Sequence, residues 1–449
     1  MLRLTSADVA RLCAGEVVGD PGRVAAGFGA DSRDVVAGHA FVAVRGGHVF
    51  VGEALDAGAS FAIVDRREAL APDAAAVVVD DTVRALAALA VDRRRSLAVR
   101  VVAITGSTGK TLTKDFVAAA LSVRYRVHAA PSSYNTEVTV PLVVLTCPDD
   151  AEVLVSELGA RHPGEIDELC RIVRPEIGIV TGIGLTHVGE FGSRRAIAST
   201  KAELLASLPA DGVAVVPSTD DFLGLLAAAT TARTVTVGPG GSVRFDTLGL
   251  EPDGRAIVRV RAGRNEVVVR PPLPGRPFAS NAAQALAVAG VMGVELASAA
   301  EAIATAPTSA WRMQVRRAGE RVLVNDAYNA NPTSVAAALR TVNELAAGRE
   351  RWGVLGEMAE LGEASAREHA RMGRLAAALG FRVLAVSSSA TYGAGAATVD
   401  DADAALAVLA RGCAPDAVVL VKASRSVELD GLAGALADTW TRSPARGSG

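Results

Sequence analysis

Residues 99–123 read VRVVAITGSTGKTLTKDFVAAALSV, which sets an apolar run, a glycine-rich turn and an amphipathic pattern in direct succession. The run VRVVAIT is typical of a buried strand. After the turn, apolar residues recur at helical spacing. They are Leu112, Phe116, Ala119, Ala120 and Val123. A strand, a glycine-rich loop and a helix in this order are the setting of a phosphate-binding loop, so the stretch predicts a nucleotide site.

The turn itself has residues suited to phosphate. Lys110 would contact the terminal phosphates, and Thr111 would offer a hydroxyl to Mg²⁺. The backbone N–H groups that would converge on phosphate belong to Gly106, Ser107, Thr108 and Gly109. Ile104 stands where the motif GxxxxGKS/T has its first glycine, so this is the shorter TGxxGKT form. The alternative is a glycine-rich turn with a surface lysine.

Length and composition limit the class of protein. A chain of 449 residues is expected to form roughly two to four domains, and we expect three. The net charge of -3 argues against a large nucleic-acid-binding face. No signal-like opening or long uncharged apolar segment is seen, which predicts a cytoplasmic protein without membrane insertion. The cysteines lack CxxC pairing and are expected to be free thiols. They are Cys13, Cys147, Cys170 and Cys413.

Apolar patterning predicts an α/β protein of three domains. Residues 1–97 read as a small mixed α/β domain. Residues 98–310 read as a central P-loop domain with a mainly parallel sheet, in which 246–269 alternates like antiparallel strands and a helix begins at about Asn281, capped by Ser280. Residues 311–449 read as a Rossmann-like, doubly wound domain that ends in a disordered tail.

Lysine is rare in this chain, with four lysines among 46 basic residues. They are Lys110, Lys114, Lys201 and Lys422. Arginine cannot replace lysine where a compact point charge or a reactive amine is needed, so the four positions are candidates for special roles. Chance is the alternative. The sequence gives no specific role for Lys114 or Lys422, and Lys114 could simply face solvent.

Further polar residues follow predicted strands, where ligands of open α/β sheets bind. Glu157 ends VLVSE and His187 follows EIGIVT, and both are candidate Mg²⁺ ligands, although each alone is more often structural. Lys201, at the start of KAELLASL, would repel a metal as an ammonium but would bind it as an anionic carbamate. An ordinary solvated lysine is the alternative.

The start of the last predicted domain carries a second group of candidates. Arg312 could clamp a γ-phosphate, or could be a plain linker arginine. Asp326, Tyr328, Asn329 and Asn331 lie in NDAYNANP at the end of a strand, where asparagine and proline could also simply form a turn.

Several segments, taken in order, resemble the Mur ligase family over nearly the whole chain. They are TGSTGKTLTK, SELGARHPGEI, THVGEFGS with STKAELL, NAAQALAVAG, WRMQ, NDAYNANPTS, LGEMAELG and VLVKASRS. The opening ADSRDVVAGHAFVAVRGG resembles the family's uridine-nucleotide domain. TGS and YNANP are typical of the branch of the family that adds a dipeptide.

The resemblance implies roles residue by residue. Lys110 and its loop would bind ATP, with Asn281 at the adenine, Arg312 at the γ-phosphate, and Asp326 and Asn329 near the ribose and the incoming dipeptide. Thr111 and Glu157 would hold one Mg²⁺, and His187 and a carbamylated Lys201 a second. The residues implied at the other substrates are Ser32 and Arg33 for the uridine nucleotide, Tyr134, Asn135 and Thr136 for the peptide, and Tyr328 and Asn331 for the dipeptide side.

The implied activity is an ATP-dependent ligase that joins D-alanyl-D-alanine to the terminal carboxylate of UDP-N-acetylmuramoyl-tripeptide through an acyl phosphate. This reaction gives the pentapeptide precursor of peptidoglycan, and the enzyme would act as a monomer whose domains close about a hinge near residues 307–311. Two other readings stay open: another P-loop kinase or GTPase, and a nucleotide-binding relative without ligase activity.

Overall fold

The computed structural model describes residues 2–186, 188–386, 392–393 and 395–442. His187 and the predicted disordered tail beyond residue 442 lie outside the described residues. The N-terminal region begins with two short strands and a helix, followed by a small sheet. Its elements are β1 (Leu4–Thr5), α1 (Ser6–Cys13), β2 (Glu16–Val18), β3 (Val24–Ala25), β4 (Phe28–Gly29), β5 (Ala40–Val42), α2 (Val51–Asp56), β6 (Phe61–Val64), β7 (Ala76–Val78) and α3 (Thr82–Ser96). The sheet has the order β2-β7-β6-β5-β4, parallel except where β2 meets β7.

The central region alternates strands and helices around a larger sheet. Its first elements are β8 (Arg100–Thr105), α4 (Lys110–Ser122), β9 (Val127–Ala129), α5 (Thr139–Leu145), β10 (Val153–Glu157), α6 (Glu165–Val173), β11 (Ile177–Val180), α7 (Val188–Phe191) and α8 (Arg194–Ala206). The rest are β12 (Val213–Pro217), α9 (Leu223–Ala228), β13 (Arg233–Val237), β14 (Val243–Leu250), β15 (Ala256–Ala262), β16 (Asn265–Val269), α10 (Phe278–Val291) and α11 (Leu296–Ala304).

The strand order of the central sheet explains where its loops converge. The order is β16-β15-β14-β13-β12-β11-β8-β10-β9, with β8 between β10 and β11 and parallel to both. The chain leaves β8 toward one side of the sheet and later returns to the other side, which makes the carboxyl end of β8 a switch point. The antiparallel pairing predicted for 246–269 is confirmed in β14, β15 and β16.

The C-terminal region is a second doubly wound sheet. Its elements are β17 (Gln314–Ala318), β18 (Arg321–Asn325), α12 (Pro332–Ala346), β19 (Arg351–Leu355), α13 (Ser365–Ala378), β20 (Arg382–Val386), β21 (Ala396–Val399), α14 (Ala402–Gly412), β22 (Val418–Lys422) and α15 (Leu432–Arg442). The strand order is β17-β18-β22-β19-β20-β21, and only β17 pairs antiparallel. The predicted α/β class with a mainly parallel central sheet is confirmed. The domain boundaries at 97/98 and 310/311 stay predictions.

Apolar side chains pack on both faces of the central sheet. On one face they form a single cluster with the N-terminal region, which extends from Val9 through Leu89 and Leu154 to Leu226. On the other face α4, α10 and α11 cover the strands. The two faces of the C-terminal sheet have separate clusters. None of the helices in the described part of the chain combines the length and apolar character needed to cross a bilayer.

Candidate active site

A cavity of about 840 Å³ lies where the three regions meet. Arg45 of the N-terminal region lines it together with loops at the carboxyl ends of strands in the other two regions. Sixteen of the predicted site residues line it: Gly106, Ser107, Thr108, Gly109, Lys110, Thr111, Asn135, Thr136, Glu157, Lys201, Asn281, Arg312, Asp326, Tyr328, Asn329 and Asn331. The fold therefore brings most of the candidates to one place.

The glycine-rich loop after β8 is fastened by the residues that follow β11. Thr181 donates from Oγ1 to the carbonyl of Thr108 at 2.6 Å, and Thr186 donates to that of Ser107 at 3.0 Å. Gly106 has φ +141°, and a Cβ there would lie 2.0 Å from Oγ1 of Thr181. Only glycine fits this close approach, which brings the loop to the start of α4 at Lys110.

Lys110 folds back over its own loop. Its Nζ donates to the carbonyl of Gly106 at 2.9 Å. Burial lowers the pKa of the Lys110 amine, and the Arg312 charge lowers it further, against the opposing attraction of Glu157. The Lys110 ammonium is therefore poorly solvated. The negative charge of a bound phosphate would stabilise it.

Glu157, at the end of β10, has one side-chain oxygen without a hydrogen-bond partner in the described part of the chain. The side chain is 1% exposed, and Oε1 accepts from Nδ2 of Asn135 at 2.7 Å. Oε2 is buried and has no hydrogen-bond partner among the described residues, and the same is true of the Ser107 hydroxyl. A buried carboxylate oxygen left in this state is costly, so the site fits a bound cation.

Lys201 is buried in α8 and lines the same cavity. It is 3% exposed, its Nζ lies 3.4 Å from the carbonyl of Ala160, and it sits 5.6 Å from the ring centroid of Phe191. Burial, together with the nearby Lys110 charge, lowers the pKa of the Lys201 amine to about 7. An appreciable fraction of the amine is therefore neutral near pH 7, as reaction with CO₂ requires.

The described residues contain no group of three histidine, cysteine, aspartate or glutamate side chains placed to hold a metal. The predicted metal ligands that the structure describes are one carboxylate, one hydroxyl and one lysine, at Glu157, Thr111 and Lys201. An unmodified lysine adds no anionic ligand, whereas a carbamate would supply oxygen donors of the kind that Mg²⁺ prefers.

Arg312 reaches the phosphate loop from a strained corner of the chain. Its neighbours Trp311 and Met313 have φ of 58° and 46°, in the left-handed region that non-glycine residues avoid. The guanidinium carbon lies 4.0 Å from the Tyr328 ring centroid, and Nη2 donates to Oγ1 of Thr111 at 2.8 Å. The strained backbone at residues 311–313 therefore places the Arg312 guanidinium against Thr111, next to Lys110.

Lys422, for which the sequence suggested no role, holds the NDAYNANP loop. It is 2% exposed at the end of β22, and its Nζ donates to Oδ2 of Asp326 at 2.5 Å and to the carbonyl of Asn329 at 2.8 Å. The other oxygen of Asp326 accepts from the backbone N–H of Met313 at 3.0 Å. One carboxylate thus connects β22, the loop and the strained corner.

Two asparagines fasten the site from neighbouring helices. Helix α10 begins at Phe278 and not at the predicted Asn281, and Ser280 lies inside it instead of capping it. Asn281 donates from Nδ2 to Oγ1 of Thr113 at 2.8 Å. Asn331 caps α12 and donates to Oγ1 of Thr186 at 3.1 Å, which joins the C-terminal region to the phosphate loop.

Three predicted substrate residues lie outside the cavity lining, and one predicted ligand cannot be placed. Ser32 and Arg33 form a 3₁₀ turn in the N-terminal region, with Arg33 paired to Asp31 at 2.5 Å. Tyr134 is 39% exposed. His187 lies outside the described residues. The predicted roles of all four stay predictions.

Lys114, for which the sequence also suggested no role, is buried. It does not face solvent: it is 1% exposed, and its Nζ donates to the backbone carbonyls of Ala130 and Ser132. Sequence reasoning also missed Ser133, whose hydroxyl hydrogen-bonds that of Tyr328. The signals available for Lys114 and Lys422 were the rarity of lysine and their positions in the family-like segments TGSTGKTLTK and VLVKASRS, and nothing in the sequence pointed to Ser133.

The chain matches two family models, the Mur ligase middle domain over residues 104–289 and the Mur ligase, glutamate ligase domain over residues 311–425. The UDP-N-acetylmuramoyl-tripeptide–D-alanyl-D-alanine ligase of Mycobacterium tuberculosis is 36% identical, over 97% of this chain and 98% of that protein. The Escherichia coli ligase of the same name is 30% identical over 92% and 93%.

Solved structures with a similar fold carry the same kind of name. MurF from Acinetobacter baumannii has a TM-score of 0.87 and 30% identity, covering 98% of this chain and 99% of that one. MurF ligase from Thermotoga maritima in complex with ADP has a TM-score of 0.78 and 28% identity, covering 93% and 98%.

Proposed function

This chain belongs to the Mur ligase family, and from that premise we propose that it joins D-alanyl-D-alanine to UDP-N-acetylmuramoyl-tripeptide in an ATP-dependent reaction of peptidoglycan synthesis. The product is UDP-N-acetylmuramoyl-pentapeptide. The observation that carries the proposal is the single cavity lined by a phosphate loop and by residues of all three regions. A simple kinase or GTPase would not need this arrangement, and relatives of near-equal length are named as ligases of these substrates.

The chemistry explains why a phosphate loop and two substrate sites belong together. A carboxylate does not form an amide directly, because oxide is a poor leaving group. The terminal carboxylate of the tripeptide takes the γ-phosphoryl group of ATP and becomes an acyl phosphate, with release of ADP. The dipeptide amine then attacks the acyl carbon, phosphate leaves and the amine loses a proton. Lys110 and Arg312 face the transferred group and neutralise charge developing on its oxygens.

Magnesium ions complete this proposal. Thr111 and Glu157 would hold one ion, consistent with the unused Oε2 of Glu157, and His187 and carbamylated Lys201 would hold a second. The carbamate forms when the neutral Lys201 amine adds to CO₂ with loss of one proton. Bound Mg²⁺ would supply charge neutralisation at the phosphoryl oxygens.

The remaining candidates are assigned to substrates by position. Asn281, Asp326 and Asn329 would lie along the nucleotide, and Tyr328 and Asn331 on the dipeptide side. Tyr134, Asn135 and Thr136 would contact the peptide, and Ser32 and Arg33 the uridine nucleotide. We propose that the protein acts as a monomer. Use of ATP and a nucleotide-linked precursor supports a place in the cytoplasm.

Release of ADP tests the proposed function. Turnover should require UDP-N-acetylmuramoyl-tripeptide and D-alanyl-D-alanine together, and mass spectrometry should find the pentapeptide product. Reactions that lack one of the two substrates are the controls. Sustained ADP release without the dipeptide would indicate a kinase or a hydrolase, and nucleotide binding without turnover on either substrate would indicate a relative that has lost ligase activity.

A further inference from the structure

Lys114 and Asp115 form an ion pair in α4, shortly after the phosphate loop. Lys114 is 1% exposed and the Asp115 side chain 11%, with Nζ of Lys114 lying 2.9 Å from Oδ1 of Asp115. Neither residue is among those that line the cavity. An ammonium removed from water is costly unless other groups replace its hydration. The surroundings of Lys114 therefore have to supply three acceptors, and they do.

Two of these acceptors belong to the segment that leads into the cavity. Lys114 donates to the carbonyls of Ala130 and Ser132, between β9 and α5. The next residue, Ser133, lines the cavity and hydrogen-bonds the Tyr328 hydroxyl. The ammonium thus fixes the backbone directly before the residues expected to contact the peptide.

The third acceptor is Asp115, which holds the linker between the central and C-terminal regions. Its Oδ2 accepts from the backbone N–H of Ser309 at 3.2 Å and from the Ser309 hydroxyl at 3.1 Å. Ser309 lies three residues before Arg312. The pair therefore anchors two segments, residues 130–133 and the linker at Ser309, to helix α4. Both segments lead to the stacked side chains of Arg312 and Tyr328.

We propose that Lys114 and Asp115 are positioning residues of the ligase reaction, which couple the nucleotide-binding helix to the peptide loop at 130–136 and to the domain linker at 305–311. The proposal rests on the function proposed above. An ammonium has three donors on one small nitrogen and matches the two carbonyls and the carboxylate around it. A planar guanidinium does not fit this arrangement, which accounts for a lysine here in a chain that otherwise uses arginine.

Hydrogen exchange with and without ADP tests the coupling in the whole protein. In the wild type, ADP should slow amide exchange in both 130–136 and 305–311. In Lys114→Met the slowing should disappear from 130–136, and in Asp115→Asn it should disappear from 305–311. Arg93→Met is the matched control, because Arg93 is 7% exposed, donates to the carbonyl of Cys147 at 2.6 Å and pairs with Asp149, but does not line the cavity.

Steady-state kinetics provide the second readout. A small misplacement of substrate-contacting backbone costs up to about 100-fold in rate, so Lys114→Met should raise KM for UDP-N-acetylmuramoyl-tripeptide or lower kcat by at least about tenfold. The dissociation constant for ADP should stay within about twofold. Arg93→Met should leave both quantities unchanged.

Three results would overturn the inference. The first is that Lys114→Met loses affinity for ADP and for the tripeptide substrate to the same extent. The second is that its amide exchange rises throughout the protein, as much as in Arg93→Met. The third is that Lys114→Met and Asp115→Asn both have wild-type kinetics. If Lys114→Met does not fold, Asp115→Asn decides alone, since it keeps the shape of the side chain. A wild type that shows the exchange pattern but no turnover would refute the proposed function and leave the coupling standing.

Discussion

Burial changes the chemistry of single side chains around the cavity, most clearly at Lys201. Its amine loses hydration and stands near Lys110, and both effects favour the neutral form. Arginine holds its proton under all these conditions and could not supply a nucleophilic amine. Lysine at this position is therefore required by the carbamate proposal and cannot be exchanged for the basic residue that the chain prefers.

Lys201→Met should change stability in a pH-dependent way. The pKa of Lys201 is about 7 in the native state, below its ordinary value of 10.5. Between these values the unfolded chain binds the proton and the native chain does not, so wild-type stability gains from this residue as pH rises. The variant should exceed the wild type most at or below pH 7, and the difference should shrink toward pH 10. Urea unfolding in CO₂-free buffer measures this. A difference independent of pH would contradict the low pKa.

Arg312→Lys should separate charge from geometry at the strained corner. A lysine keeps the charge but loses the stack on Tyr328 and the planar donor set. Loss of one well-placed donor to a developing anion costs about 100-fold in kcat. We expect a loss of this size with little change in KM for ATP, measured by ADP release. An unchanged kcat would show that Arg312 does not face the transferred phosphoryl group.

Among the elements, the strand–loop–helix unit was predictable from the sequence. Its apolar pattern matches the buried strand β8 and the packed helix α4 that the fold contains. The apolar runs RVLVND, WGVLG, RVLAVS and AVVLVK likewise predict strands, and they correspond to β18, β19, β20 and β22 of the C-terminal sheet. Sequence could not reveal that Lys114 is buried, because its partners at Ala130 and Ser132 come from a separate segment. The start of α10 was missed for a local reason: the helix begins directly after Pro277, three residues before the predicted Asn281, so Ser280 lies inside it and does not cap it.

Gly106→Ala tests the close packing of the phosphate loop. The new Cβ would clash with Thr181, and φ of +141° is unsuited to alanine. We expect a loss of at least about 2 kcal/mol in the free energy of unfolding and loss of ADP binding, measured by urea unfolding and calorimetry. Gly224→Ala is the control, since no atom lies within 4 Å of its Cβ position in α9, and it should raise stability by up to about 1 kcal/mol. Equal behaviour of the two variants would refute the packing argument.

Across the whole molecule, polar contacts near the cavity join the central and C-terminal regions, alongside apolar packing of Val188 and Phe278 against the C-terminal cluster. Arg276 pairs with Glu344 at 3.0 Å, and Asn331 bonds to Thr186 at 3.1 Å. Such pairs are individually weak, which is compatible with the predicted opening and closing of the two regions. The hinge predicted near residues 307–311 stays a prediction, and Trp311 at its end has a left-handed conformation.

Arg276→Glu should favour a more open molecule. It places like charges at Arg276 and Glu344, which costs up to about 1 kcal/mol and shifts an open-closed equilibrium a few-fold. Small-angle X-ray scattering should show a larger radius of gyration for the variant, and ADP with both substrates should reduce it. Arg261→Glu, which loses a pair with Glu266 inside one hairpin, carries the same charge change and should leave the radius unaltered. Identical curves for both variants would argue against a hinge at this linker.

The apolar cluster that runs from Val9 to Leu226 has a consequence for the way the protein comes apart. Residues 1–100 share this cluster with one face of the central sheet. Their removal would expose a large apolar surface, so neither the N-terminal region nor the central region should fold stably without the other. The fully buried members of the two C-terminal clusters all come from that region, and only partly buried side chains such as Val188 and Phe278 of the central region pack against them. Heating should therefore melt the molecule as two cooperative blocks and not three, and a protease cutting in the linker should release a single stable fragment from the carboxyl end.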